Sequence, residues 1–348
     1  MDIRQEILDI PRALRETLEK GRPEYEALVR RTRWADGPIY VLGSGAAQRV
    51  GLTGTYAFES LLGWPVIARS ASDFATYSLS VLRPRSVVLA VSKSGESAET
   101  LETARAARAR GAVLLGLTNN PTSSLAALAD GVFLIRAGAE PWPEIKTCVC
   151  LHAAISYIGL VAAQTLKRHH PLLDGLEEEF ATLPGHAEWV LTQLADAVRS
   201  FASALKVFRR LCVVGGGFYH PVALQCARLL RQLAGIHTEG LAPVEPDTSL
   251  ETMDREVGII FLSGSRCRAS KKVRELAAAM RKAAGNIFSV TDGNDRELVD
   301  RSMLAVLLPT LSEMVGSVLT LVLLGWVAYQ TAREQGRDPN RVREISKS

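Results

Sequence analysis

The sequence contains no CxxC pair and no cluster of histidine and cysteine at metal-ligand spacing. Its five cysteines, Cys148, Cys150, Cys212, Cys226 and Cys267, are odd in number. Cys148 and Cys150 sit in an apolar stretch, where they read as small buried hydrophobes. A zinc site would need partners that are not there, so no metal is expected. Long basic runs with interleaved aromatics are missing too, and a net charge of +4 is small for 348 residues, so nucleic acid is not an expected partner. The opening MDIRQEILDIPRALRE is charged and amphipathic and has no apolar leader core, so export is not signalled and a cytoplasmic location is expected. The glycine turn Gly43-Ser44-Gly45 has Gln48 where GxGxxG needs its third glycine. That argues against a dinucleotide, and no cofactor is expected.

What remains is an ordinary globular composition, 47% hydrophobic and 22% charged, at a length that suits two domains. Two stretches, Thr147 to Leu166 and Met314 to Ala332, carry no charged residue and approach membrane-spanning length. Both include polar residues (His152, Gln164, Gln330), and both fall at the same place in an internal repeat. They read as buried helices, either core within the chain or surface for a second copy, and no membrane partner is expected.

The repeat has four elements. IYVLGSG (39–45) is echoed by LCVVGGG (211–217), with Gly43 and Gly215 offset by 172. VVLAVSKSG is echoed by GIIFLSGS, with Ser92 and Ser263 offset by 171, and AVLLGLTNN by NIFSVTDGN, with Thr118 and Thr291 offset by 173. VFLI (132–135) is echoed by LAVLL (304–308). Near-constant offsets indicate duplication. The strands are short and apolar on both faces, and Ala/Leu-rich helical stretches lie between them. This βαβα rhythm predicts an α/β chain with a doubly wound parallel sheet in each half. The expected divisions are a helical arm (1–37), a first domain (38–170), a linker helix (171–198), a second domain (199–335) and a tail (336–348).

The most informative segment is Ser92-Lys93-Ser94-Gly95-Glu96-Ser97, between an apolar strand and a helix. Backbone N–H groups at a helix N-terminus are unpaired and the helix dipole favours an anion there. Gly95 permits close approach, and Ser92, Ser94 and Ser97 can donate to phosphate oxygens, with Lys93 adding charge. The competing reading is a polar turn in which Ser94 or Ser97 merely caps the helix. Ser44 and Gly45 in the first glycine turn are weaker candidates for the same anion.

Taken in order, FESLLGWPV, ASDF, SKSGESAETL, SSLAALAD, AGAE, ALQCARLLRQLAGIHTEG and GRDPNRVREISKS resemble the double SIS (sugar isomerase) domain family. Within it the likeness is to the isomerase half of the glutamine–fructose-6-phosphate aminotransferases, without their glutaminase domain. The resemblance implies two flavodoxin-like three-layer sandwiches, a sugar phosphate held by the Ser92–Ser97 loop, and a homodimer. It also implies that ammonia from glutamine is not part of the chemistry, since Met1-Asp2 stands where those enzymes begin with a cysteine nucleophile. The family's glutamate base falls on Gln232, which cannot take a proton. Further family positions fall on Gln225, Leu229 and Thr248, again without the expected glutamate, lysine and histidine. Lys347 matches the family's tail lysine and is expected to engage a sugar carbonyl; otherwise it is a solvated lysine on a frayed end. His237 and Glu239, close after Gln232, are candidate substitute bases, with a structural role for His237 as the alternative. Two functions stay open. One is an aldose–ketose isomerase or amino-sugar-phosphate deaminase or deglycase acting on a hexose 6-phosphate. The other is a non-catalytic phosphosugar-binding or regulatory protein.

Overall fold

A computed structural model of the chain describes residues 2–32, 34, 37–140, 142–243, 256–283 and 285–341. Its backbone forms two five-stranded sheets, all of whose pairings are parallel. The first contains β1 (Ile39–Gly43), β2 (Val66–Ser70), β3 (Val87–Val91), β4 (Val113–Thr118) and β5 (Gly131–Leu134) in the order β2-β1-β3-β4-β5. The second contains β6 (Arg210–Gly215), β7 (His237–Leu241), β8 (Val257–Leu262), β9 (Ile287–Asp292) and β10 (Leu304–Leu308) in the order β10-β9-β8-β6-β7. The doubly wound α/β architecture and the duplication expected from the repeat are therefore present. β1, β3 and β8 are buried at every position, as strands covered on both faces must be.

Among the described residues the α-helices are, in chain order, α1 (Ile3–Leu8), α2 (Ile10–Arg31), α3 (Ala46–Leu62), α4 (Ala71–Asp73), α5 (Ala98–Ala109), α6 (Ser124–Leu128), α7 (Ile145–Thr165), α8 (Leu176–Gln193), α9 (Ala195–Leu205), α10 (Tyr219–Leu229), α11 (Ser270–Ala283), α12 (Arg296–Arg301) and α13 (Glu313–Glu334). Contacts group residues 12–139 and 146–184 into one compact unit around the first sheet. Described residues of 1–11, 140–145 and 185–348 form the other, around the second. The N-terminal arm is thus divided between them. Its α2 belongs with the first sheet, where Tyr25 donates to the Leu134 carbonyl at 2.8 Å and meets Phe133 edge-on at 5.4 Å. Its α1 belongs with the second, burying Ile3 and Ile7.

The two uncharged stretches are α7 and α13. Both are long and apolar enough to cross a membrane, and both lie inside the protein: the apolar window is wholly buried in α7 and almost wholly in α13. They form core within the chain and leave no broad face for a second copy. Among the polar residues of α7, His152 is paired through one ring nitrogen: its Nδ1 lies 2.7 Å from Thr53 Oγ1 of α3. Burial, with Arg49 nearby, pushes the His152 pKa down to about 3, so the imidazole is neutral.

Candidate functional site

In the first sheet the strand order reverses between β1 and β3, which are neighbours with Gly43 opposite Val91. The β1–α3 turn and the β3–α5 loop therefore open side by side at the carboxyl edge, where α/β sheets bind ligands.

The β3–α5 loop is held from behind. The Lys93 carbonyl accepts from the Asn119 N–H and from Thr118 Oγ1, both at 3.0 Å. The Gly95 carbonyl accepts from the Leu125 N–H at 3.0 Å. Gly95 has φ +70°, and a Cβ there would lie 2.1 Å from Ser123 Oγ, so only glycine fits. Glu96 accepts the Ser124 N–H at 2.7 Å, a bond to the α6 start that holds its carboxyl below the ordinary range.

The front of the loop is left open. Ser97 occupies the N-cap of α5 but makes no side-chain cap bond, which disfavours the simple capping reading. The N–H groups of Ser94 and Ser97 find no acceptor among the described residues. Ser92 Oγ is buried and accepts the Gly95 N–H at 3.1 Å, while exposed Ser94 Oγ accepts the Glu96 N–H at 3.1 Å. Each hydroxyl keeps its own proton to donate. Across the reversal, Ser44 Oγ is buried and finds no partner among the described residues. Beside it Gly45, at φ +59°, has open space where a Cβ would stand. Ser44, Gly45, Ser92, Ser94, Gly95 and Ser97 thus come to one crevice of one unit, with Lys93 half-buried in the same loop. The arrangement offers hydroxyl and amide donors to a tetrahedral oxyanion.

The catalytic candidates belong to the other unit. Gln232 lies in a π-turn (Leu230–Ala234) that continues α10, with Oε1 buried and unpartnered among the described residues. π-turns within helices are frequent at functional positions. Gln225 is fully buried; with its amide turned so that the oxygen faces Arg228, that oxygen accepts from Nη2 and Nε at 2.7 and 3.1 Å. The Arg228 guanidinium also donates to the Pro143 carbonyl at 2.9 Å and lies 5.3 Å from the Trp142 ring centroid. Leu229, where the family has a lysine, is buried. His237 and Glu239 are exposed on β7 and 3.8 Å apart. His237 pairs in register with Arg210, the first residue of β6, so it stands at the amino edge, away from where this sheet would bind a ligand. Glu239, two residues further along β7, pairs in register with Cys212. Lys347 and Thr248 lie outside the described residues.

The sequence assigned no supporting role to Thr118, Ser123 or Glu96, yet they give the loop its shape. The one available signal was the pair Ser123-Ser124 opening a helix, a local cap pattern.

Residues 35–161 match the SIS domain family. The C-terminal domain of glucosamine-fructose-6-phosphate aminotransferase from Francisella tularensis superposes with a TM-score of 0.87 at 22% identity, covering 97% of this chain and 96% of that one. Residues 35–161 thus match a SIS domain, and the whole chain has the two-sheet fold of that aminotransferase domain. Tagatose-6-phosphate ketose/aldose isomerase from Escherichia coli shares the fold at a TM-score of 0.79 and 17% identity, covering 98% of this chain and 95% of that one. Identities this low speak to fold alone. Among curated sequences, glutamine–fructose-6-phosphate aminotransferase (isomerizing) from Gloeobacter violaceus is 28% identical over 99% of this chain and 58% of its own length. The double-SIS chain thus spans little more than half the length of such relatives.

Proposed function

We propose that this double-SIS chain binds a phosphosugar and acts as an aldose–ketose isomerase or an amino-sugar-phosphate deaminase or deglycase. Its substrate is a hexose 6-phosphate of the fructose 6-phosphate or glucosamine 6-phosphate class. The observation that carries the proposal is the first crevice: an uncapped helix N-terminus, open N–H groups on Ser94 and Ser97, and a buried Ser44 hydroxyl in need of a partner. A phosphate dianion satisfies all of them, and charge-assisted bonds of this kind contribute about 1.5–3 kcal/mol each. The likeness to aminotransferase and ketose/aldose isomerase proteins supports the sugar class. Chemistry at the sugar carbonyl falls to Lys347. A cytoplasmic homodimer belongs to the same reading.

A second reading, a phosphosugar-binding protein without turnover, is favoured by one observation. Gln225 and Gln232 are neutral where proton transfer calls for a carboxylate, and Gln225 is already engaged by Arg228. Incubating the protein with a panel of hexose and aminohexose 6-phosphates, followed by NMR, separates the cases. Conversion of at least one sugar is expected. Tight binding with no conversion of any selects the second reading, and absence of binding removes both.

A further inference from the structure

The second sheet repeats the strand–loop–helix device with an anion of its own. Its strand order reverses between β6 and β8, so the turn at Gly215-Gly216-Gly217 and the loop Ser263 to Ala269 open side by side. By the offset of 171, Ser265 and Arg268 stand where Ser94 and Ser97 stand in the first loop. Here the N–H groups are engaged. The Ser265 N–H and Oγ donate to Asp292 Oδ2 at 2.7 and 3.0 Å. The Arg268 N–H donates to Glu313 Oε2 at 3.2 Å and its Nε to Oε1 at 2.6 Å. Glu313 projects from the first turn of α13 and its side chain is only 11% exposed. Its Oε2 lies 3.5 Å from where a Cβ of Gly217 would be, so the carboxylate fills the gap between turn and loop. In the first sheet the residue aligned with Asp292 is neutral Asn119, whose amide bonds to the Ala137 N–H and the Gly138 carbonyl instead.

We infer that Glu313 and Asp292 are built-in substitutes for a ligand's phosphate, so that each chain holds one phosphosugar, in the first crevice, while the second is a latent oxyanion site that opens when the Glu313 carboxylate is removed. The inference rests on reading the first crevice as a phosphate site. A dianion entering the second crevice would meet two carboxylates and would have to displace one from its donors, leaving a charge poorly compensated. With Glu313 truncated, the Arg268 N–H and Nε lose the carboxylate they donate to, and Ser263 Oγ, buried without a partner among the described residues, lies in the same loop. A small oxyanion supplies what is missing.

Equilibrium dialysis of the full chain with inorganic phosphate, and separately with fructose 6-phosphate, tests this. The wild-type chain is expected to bind one per chain, Gly95→Val none, and Gly95→Val/Glu313→Ala one phosphate, at least tenfold tighter than Gly95→Val alone. In parallel, phosphate and acetate should raise the melting temperature of the double variant and leave that of Gly95→Val unchanged. Should Glu313→Ala fold poorly, Glu313→Gln keeps the volume and removes the charge, with the same gain expected. Two sites in the wild type overturn the inference, as does a folded double variant that neither binds phosphate nor is stabilised by it. A wild type that binds nothing, beside a double variant that gains a site, would sink the phosphosugar proposal while the latent site stands.

Discussion

Ser94 and Ser97 keep their N–H groups open at the first crevice, whereas Ser265 and Arg268 have theirs closed by Asp292 and Glu313. The backbone scaffold is shared: strand, short loop, helix, at the point where strand order reverses. Duplication has preserved geometry that presents amides to negative charge, and side chains elsewhere decide whether that charge comes from a ligand or from the protein. A fold assignment alone would give the two crevices the same function.

The harshest way to break the comparison is Gly95→Val. Positive φ and a Cβ driven into Ser123 should disrupt the loop and lower phosphosugar affinity by about a hundredfold or more, measured by calorimetry. Acid comes next. His152 is buried neutral with a pKa of about 3, against about 6.5 unfolded, so only the unfolded chain takes up a proton as pH falls below 6.5. Stability present above that pH is lost toward pH 3, by up to ~1.4 kcal/mol per pH unit. Since α13 has no histidine, the first unit should loosen first. Urea midpoints at pH 7 and pH 5 should differ less in His152→Gln. Copying the second sheet into the first, Asn119→Asp places a carboxylate beside the open loop and should weaken binding about tenfold. The smallest effects come from single hydroxyls. Ser94→Ala and Ser97→Ala should each cost about 1 kcal/mol of binding, whereas Ser265→Ala should leave sugar affinity unchanged and cost a similar amount of stability.

Much of the first crevice was legible because its determinants are local. β1 and β3 are continuous apolar runs, and the polar Ser92–Ser97 segment sits between strand and helix within six residues. The supports were not legible, since Ser124 reaches Glu96 across 28 positions and Glu313 reaches Arg268 across 45. His237 and Glu239 follow Gln232 closely, and the chain turns at Gly235, φ +66°, to enter β7 at the amino edge of the sheet, with both side chains exposed. The Arg228–Gln225 pairing and its hold on Pro143 join helix to distant loop, a contact no local pattern announces.

The second compact unit takes in α1 and residues 140–145. Asn340 Oδ1 accepts the Ile3 N–H at 2.9 Å, a bond across 337 positions of sequence. During synthesis, then, α1 has to wait for the segment around Asn340 before this partner exists, and loops of that span close slowly. A fragment starting at residue 171 would lack Ile3, Ile7 and the Trp142–Pro143 cover over Arg228. The halves are repeats in architecture, but they are not separable cassettes, and dissection at the apparent midpoint should yield a C-terminal piece that aggregates.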